Sequence, residues 1–152
     1  MFEKFVLDVD GVLTTGHSIY DKNGKAFKIF GPHDNDGLKM IKDSIKISFI
    51  SADIKGFDIT QKRINDMGFS VELVEEKERK NYFLSKDSEK IIFMGDGYFD
   101  ALVMDIVGYS IAPKNARKEV LDVADYITPS NGGEGAVLDA CLHIKEVFLN
   151  EL

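Results

Sequence analysis

The sequence predicts an α/β fold in which a central parallel β-sheet is flanked by helices on both faces. Short runs of aliphatic and aromatic residues alternate along the chain with segments that have helical periodicity. These runs are apolar at nearly every position, as is typical of parallel strands that are buried on both faces. The alternation continues through the chain without an internal repeat or a linker. We therefore expect a single domain over residues 1–152.

Five sheet strands are predicted from these apolar runs. Aliphatic, β-branched and aromatic residues dominate each run, and polar or turn-forming residues bound it. In chain order, the predicted strands are Phe5–Val9, Ile47–Ser51, Val71–Val74, Ile91–Met94 and Tyr109–Ala112.

A β-hairpin is predicted between the first two of these strands. The runs Ser18–Tyr20 and Ala26–Phe30 flank the polar turn Asp21–Lys25, which contains a glycine and is typical of a connection between antiparallel strands. The hairpin interrupts the alternation of strands and helices, so we expect a small insertion into the α/β domain.

Helices are predicted where the apolar residues have helical spacing. The segment after the second strand is an example, because Ile59, Ile64 and Met67 share one side and Gly68 follows as a stop signal. The predicted helices are Gly37–Ser44, Asp58–Met67, Asn81–Leu84, Phe99–Val107, Ala116–Val123 and Gly135–Leu149.

The composition is that of a globular protein, with 44% hydrophobic and 30% charged residues. A formal net charge of −7 argues against broad electrostatic binding to nucleic acid or to anionic membranes. No apolar run has the length of a membrane span. The single cysteine, Cys141, cannot form an internal disulfide, and the N-terminal MFEKF lacks a signal-peptide pattern. We therefore expect a cytoplasmic protein.

Two aspartates, Asp8 and Asp10, close the first predicted strand, although aspartate is a poor strand former and burying an unpaired carboxylate is costly. Ser51 ends the second strand, and Asp96 follows the fourth. In open α/β sheets, ligand sites form outside the carboxyl ends of the strands. We therefore expect these residues to face one crevice.

These residue types suit phosphoryl transfer assisted by Mg²⁺. This ion prefers oxygen ligands and is often held by one or two carboxylates, so Asp8 and Asp96, with a backbone carbonyl near Asp10, are the expected ligands. Asp8 could attack phosphorus to form an aspartyl-phosphate, and Asp10 could act first as general acid and then as general base. Ser51 and the backbone N–H groups near Ala52 could hold the phosphoryl oxygens, and a lysine could neutralise the transferring group.

Four motifs together resemble the haloacid dehalogenase superfamily of phosphotransferases. They are DVDGVLT at the end of the first strand, a hydroxyl residue at the end of the second, a lysine before a helix, and GDGYFD after the fourth strand. The chain is most similar to the small phosphatases of this superfamily that act on 3-deoxy-ulosonate and nonulosonate phosphates, and GYSIAPKNA, ADYIT and GGEGAV extend the resemblance over nearly the whole chain. The resemblance implies a Rossmann-like fold without a large cap domain, dependence on Mg²⁺, and a homotetramer. In that tetramer a neighbouring subunit covers the active site and the hairpin is the assembly element.

The resemblance also implies roles for individual residues. Lys80 is the better match to the phosphate-binding lysine, and Lys77 is the alternative. The other implied roles are nucleophile for Asp8, general acid/base for Asp10, phosphate-binding hydroxyl for Ser51, metal ligand for Asp96, and support of the metal shell or the lysine for Asp100.

Some positions depart from the pattern of relatives that hydrolyse 3-deoxy-D-manno-octulosonate (KDO) 8-phosphate. Those relatives follow the strand-two hydroxyl with Gly-Arg, where this chain has Ala52 and Asp53, and they often have GGRGA where this chain has Glu134. The loop around His33 is also more polar than the usual pattern. Asp53, Glu134 and His33 are therefore candidate specificity residues. A nine-carbon acylneuraminate-type 9-phosphate becomes as good a candidate substrate as KDO 8-phosphate.

The predicted function is a magnesium-dependent phosphomonoesterase that releases phosphate from an acidic sugar through an aspartyl-phosphate. One alternative is an assembly or regulatory partner of a sugar-activating cytidylyltransferase, with weak phosphatase activity. A phosphoacceptor switch similar to a response-regulator receiver shares the aspartate and lysine chemistry. It is the poorer alternative, because Asp10 would make its acyl phosphate short-lived.

Overall fold

The computed structural model describes residues 1–149 of the chain. The strands are β1 (Lys4–Asp8), β2 (Thr14–Asp21), β3 (Gly24–Phe30), β4 (Lys46–Ser51), β5 (Val71–Leu73), β6 (Ile91–Met94), β7 (Tyr109–Ala112) and β8 (Tyr126–Ile127). The α-helices are α1 (Asp34–Ile41), α2 (Phe57–Asp66), α3 (Arg79–Leu84), α4 (Asp100–Met104), α5 (Lys118–Leu121) and α6 (Ala136–Val147).

Six of the strands form one parallel sheet, in the order β5-β4-β1-β6-β7-β8. β1 lies inside the sheet, where Asp8 is in register with Ile50 of β4 and Leu7 with Met94 of β6. The predicted α/β fold with a parallel sheet flanked by helices is therefore confirmed. The register also brings the ends of β1, β4 and β6 to the same edge of the sheet.

Consecutive side chains of β1 point to opposite faces of the sheet and pack into the buried clusters on both faces. Phe5 and Leu7 belong to the buried cluster that includes residues of α1 and α6, whereas Val6 belongs to the opposite cluster with Phe83 of α3. All four side chains are fully buried, and burying a side chain of this size stabilises the fold by roughly 1.5–3 kcal/mol. The strand that carries the candidate site is therefore held rigidly from both sides.

The predicted hairpin is confirmed as a separate two-stranded antiparallel sheet of β2 and β3. It is longer than predicted, because pairing begins where Thr14 lies beside Phe30. Four apolar side chains of the hairpin are at least 47% exposed, namely Ile19, Tyr20, Phe27 and Ile29.

The main differences from the predicted elements lie in short segments. A sixth strand of the large sheet, β8, has two residues that continue the ladder beside Ile111 and Ala112 of β7. Two residues are too few to show a strand period, so the sequence pattern did not reveal it. α1 begins at Asp34, before the predicted start at Gly37. α4 and α5 are shorter than the predicted helices 99–107 and 116–123.

No helix within residues 1–149 is both long enough and apolar enough to span a membrane.

Asp34, the first residue of α1, is a buried carboxyl group. Only 1% of the residue is exposed, and its Oδ1 has no hydrogen-bond partner among the described residues. Burial raises the pKa of Asp34 to about 7, although the nearby charge of Arg63 opposes the shift. The folded protein therefore holds a proton that the unfolded chain releases near its ordinary pKa of 3.8. As a result, the free energy of unfolding should fall as the pH rises from that value to about 7.

Replacing Asp34 with asparagine should therefore stabilise the protein at neutral and alkaline pH. We expect a gain of about 1–3 kcal/mol at about pH 8, because no charge is then left buried without a partner. The gain should shrink as the pH falls toward 4, where the wild-type carboxyl is protonated in both states. Urea unfolding across this pH range measures the effect, with the exposed Asp43→Asn as the matched control. A gain that did not depend on pH would contradict the prediction.

Candidate active site

The carboxyl ends of β1 and β6 open into a cavity of about 430 Å³. Asp8 is the last residue of β1, and Asp96 follows β6 after a single glycine. Asp10 and Ala52 also line the cavity, as the sequence predicted. Ser51, the last residue of β4, is fully buried just behind it.

Asp8 is held by a buried arginine. Its Oδ1 accepts hydrogen bonds from Arg79 Nη2 at 2.8 Å and from the backbone N–H of Val9 at 2.9 Å. Burial raises the pKa of Asp8 to about 6, while the positive charge of Arg79 opposes the shift and Asp100 adds to it. In return, Asp8 and Asp100 raise the pKa of Arg79 above its ordinary value, against the effect of its burial. Arg79 is therefore a permanent cation beside the predicted nucleophile.

Asp100 organises the loop that follows β6. Its Oδ2 accepts the backbone N–H groups of Asp96 at 3.0 Å and of Gly97 at 2.9 Å, and its Oδ1 accepts a hydrogen bond from Arg79. Because Asp100 starts α4 and is 1% exposed, it links this loop to the helix inside the protein. The supporting role of Asp100 toward a metal or a cation at the site stays a prediction.

Three carboxylates converge at this point. Ligand atoms of Asp8, Asp96 and Asp100 all lie within 4.8 Å of one another. Burial, together with the charges of Asp8 and Asp100, raises the pKa of Asp96 to about 9. Such a set of hard oxygen ligands fits a divalent cation such as Mg²⁺, whose charge would offset the repulsion between them.

A glycine next to Asp10 makes room for this set. Gly11 has φ +86°, and a Cβ on it would lie 1.8 Å from Oδ2 of Asp96. Any larger residue at this position would displace the Asp96 carboxylate. This steric constraint explains why glycine follows Asp10 in the DVDGVLT motif.

Asp10 lies beside the carboxylate trio but is not part of it. Its side chain pairs with Lys28 of β3, whose Nζ lies 2.9 Å from Oδ1. Burial raises the pKa of Asp10, and the hydrogen bond from Lys28 opposes the shift. Asp100 is the third member of the carboxylate set, in addition to the predicted ligands Asp8 and Asp96. A contribution of the backbone near Asp10 to a metal stays a prediction.

The two lysines predicted to bind phosphate do not line the cavity, whereas Arg79 does. Lys80 is exposed and does not line the cavity, and the side chain of Lys77 is 78% exposed beside Glu75. The reason is helical geometry, because α3 begins at Arg79 and consecutive residues point in different directions.

The pattern of α3 contains a signal for this assignment. Arg79 lies four residues before the fully buried Phe83, whereas Lys80 lies four residues before Leu84, which is 56% exposed. Arg79 therefore shares the buried face of the helix, and weighing this periodicity rather than the residue type would have identified it.

Of the predicted specificity residues, only Asp53 is brought to the site. It lines the cavity and pairs with Lys25 at 2.6 Å and Lys28 at 2.9 Å. Partial burial alone would raise its pKa, but the hydrogen bonds from the two lysines lower it to about 2. His33 and Glu134 are exposed and do not line the cavity within the single chain.

Several further residues line the cavity from the hairpin, from the segment before α3 and from the loop before α4. They are Gly16, His17, Ser18, Lys25, Glu76, Tyr98 and Phe99. Tyr98 and Phe99 lie within the GDGYFD motif but were assigned no role, and no local signal marked the others.

Replacing Arg79 with methionine is expected to destabilise the protein by about 3 kcal/mol. The substitution keeps much of the side-chain volume but leaves Asp8 and Asp100 buried without their cation. Urea unfolding in metal-free buffer measures the loss. Arg117→Met serves as control, because the side chain of Arg117 is 66% exposed and its loss should leave the unfolding midpoint unchanged. An equally small effect for Arg79→Met would show that the two carboxylates do not need this partner.

Comparison with known proteins identifies a matching protein family and several similar phosphatases. The family model described as haloacid dehalogenase-like hydrolase matches residues 14–140. The 3-deoxy-D-manno-octulosonate 8-phosphate phosphatase of Haemophilus influenzae is 35% identical over 141 residues, which are 88% of this chain and 77% of that protein. The phosphatase of the same name from Salmonella typhi is 31% identical over 144 residues, covering 90% and 75% of the two chains.

Solved structures agree with these relatives. The cobalt-bound form of the Haemophilus influenzae phosphatase has a TM-score of 0.80 at 30% identity, covering 95% of this chain and 88% of that one. The Moraxella catarrhalis phosphatase, in complex with magnesium, phosphate and KDO, has a TM-score of 0.84 at 26% identity, covering 98% and 88%.

Proposed function

The chain belongs to the haloacid dehalogenase-like hydrolase family and is a phosphatase, and we propose that its substrate is the phosphate monoester of an acidic sugar of the ulosonate or nonulosonate class. One observation carries this proposal. Asp8, Asp10 and Asp96 line a single cavity in a chain that is 35% identical to a KDO 8-phosphate phosphatase. We further propose that residues 1–152 act as one phosphatase domain.

In the proposed mechanism, a carboxylate oxygen of Asp8 attacks phosphorus, and the bond between phosphorus and the sugar oxygen breaks. Asp10 gives its proton to the departing sugar oxygen, so that the products of this step are the free sugar and an aspartyl-phosphate. A water molecule then attacks phosphorus while Asp10 takes its proton. Asp8 and inorganic phosphate are released.

The remaining residues hold and neutralise the phosphoryl group. The backbone N–H groups near Ala52 and the hydroxyl of Ser51 would hold its oxygens, which is supported by the position of Ala52 in the cavity lining and of Ser51 next to it in the chain. Arg79 keeps Asp8 oriented and would supply the positive charge that was expected from a lysine.

Asp8, Asp96 and Asp100 are the residues that would hold the magnesium cofactor. Mg²⁺ is the metal in the Moraxella catarrhalis relative, and its chemistry is to neutralise phosphate charge and orient the transferring group.

Phosphate release from a panel of sugar phosphates tests the proposed function. The panel contains KDO 8-phosphate, acylneuraminate and KDN 9-phosphates, and simple hexose and pentose phosphates, each with and without Mg²⁺. We expect a magnesium-dependent preference for one ulosonate or nonulosonate. Indiscriminate release would refute the substrate class. Negligible turnover on the whole panel, with co-purification of a cytidylyltransferase, would favour the assembly-partner alternative.

We also propose that the protein is a homotetramer assembled through the β2–β3 hairpin. Ile19 and Phe27 are cross-strand partners that expose 51% and 63% of their surface, which is costly for an unpartnered hairpin. Phe27→Glu should therefore yield smaller species in light scattering after size exclusion. Leu84→Glu, on an exposed side of α3, is the control that should not change the mass. A monomeric wild-type protein would refute this assembly.

A further inference from the structure

We propose that Lys28 of the hairpin is a positioning residue for Asp10, and that phosphoryl transfer to poor leaving groups depends on it. This inference rests on the proposed function, because it assumes that Asp10 protonates the departing sugar oxygen. It assigns a part in the reaction to a residue that lies outside the strand-end motifs.

The ammonium group of Lys28 is enclosed by acceptors from different parts of the fold. Its Nζ lies 2.9 Å from Oδ1 and 3.1 Å from Oδ2 of Asp10, 2.9 Å from Oδ2 of Asp53, and 2.7 Å from Oγ1 of Thr60 in α2. An ammonium group has three N–H donors, so these three residues can use all of them.

Burial makes this arrangement rigid. The side chain of Lys28 is 1% exposed, and Thr60 is fully buried. A lysine on a surface exchanges its partners with water, whereas the Lys28 ammonium is closed off from solvent by its partners. The carboxyl group of Asp10 is thereby held by the buried ammonium of Lys28. Because its side chain is still 34% exposed, it also remains accessible from the cavity.

This fixation has a consequence for proton transfer. A general acid works only when its proton lies within hydrogen-bond reach of the leaving oxygen. Without Lys28, the Asp10 side chain could turn to other rotamers. The ammonium also stabilises the carboxylate that forms when Asp10 gives up its proton, so its effect is greatest for leaving groups that need that proton.

Lys25 offers a matched comparison. It lies on the same strand and pairs with the same Asp53, at 2.6 Å, but it is not among the partners of Asp10. A variant of Lys25 thus removes a neighbouring positive charge and one contact of Asp53 while leaving Asp10 and Lys28 in place.

The experiment compares kcat/KM, which reports the steps up to departure of the leaving group, for a sugar phosphate, which has a poor leaving group, and for p-nitrophenyl phosphate, whose leaving group needs little protonation. Lys28→Met should lower kcat/KM for the sugar phosphate by about 10-fold or more, and kcat/KM for p-nitrophenyl phosphate by less than about 3-fold. Lys25→Met should change both by the same factor. In an Asp10→Asn background, Lys28→Met should cause no further leaving-group-dependent loss, because Lys28 acts through Asp10.

Equal slowing of both substrates by Lys28→Met, or a further selective loss in the Asp10→Asn background, would overturn the inference. If Lys28→Met fails to fold, the double variant Lys28→Met/Asp53→Asn is used instead. It removes the negative charge of Asp53, which lost its partner Lys28, and the two substrates are compared in the same way. Absence of phosphate release by the unmodified protein would instead refute the proposed function, so the two failures are distinguishable.

Discussion

Asp8→Asn is expected to abolish phosphatase turnover while leaving the protein folded. An amide is a far weaker nucleophile than a carboxylate and cannot form the aspartyl-phosphate, so kcat should fall by roughly 10⁴-fold or more. The fold should survive, because asparagine has nearly the same volume and Arg79 keeps its other partner, Asp100. Removing one of three neighbouring carboxylates also reduces their mutual repulsion.

The measurement is phosphate release by the variant and the wild type, with the urea midpoint recorded for both. Asp105→Asn is the matched control, because Asp105 is an exposed aspartate at the end of α4 and should not affect turnover. Substantial turnover in a folded Asp8→Asn protein would mean that another group attacks phosphorus.

Removal of divalent metal is expected to have the second largest effect. Chelation should reduce turnover to background, and added Mg²⁺ should restore it, because the cavity carries an excess of carboxylates that would otherwise repel a phosphate. Mg²⁺ should also raise the thermal midpoint of the wild type, since it binds the folded state selectively.

Asp96→Asn provides the specific comparison for this prediction. The change removes one ligand of the trio, so half-maximal activation should need about 10-fold or more Mg²⁺, and the thermal shift at a fixed Mg²⁺ concentration should shrink. An activity that survives exhaustive chelation would argue for catalysis without a divalent metal, and an unchanged Mg²⁺ requirement would remove Asp96 from the ligand set.

The part of the site that could be predicted from the sequence lies at the strand ends. Asp8, Asp10 and Asp96 interrupt apolar runs, and the position of a strand's carboxyl end fixes which edge of the sheet they share. Such signals are local in sequence. Parallel strands place these residues at one edge of the sheet, and the neighbouring positions of β1 and β6 in the strand order bring them together.

The rest depends on contacts that no local pattern encodes. Lys28 reaches Asp10 only because the hairpin folds back over the end of β1, and nothing within β3 marks that residue as different from Lys25. Arg79 was passed over because residue type was weighed above the buried face of α3. The two residues of β8 became a strand only through their hydrogen bonds to β7.

The arginine bridge between Asp8 and Asp100 has a consequence for how the protein matures. Because Arg79 pairs with two of the three carboxylates, we expect a newly synthesised chain to close this part of its core without a metal ion. Folding and metal loading should then be separable steps. In a cell that is short of magnesium, we expect folded protein to accumulate and to gain activity when the ion returns.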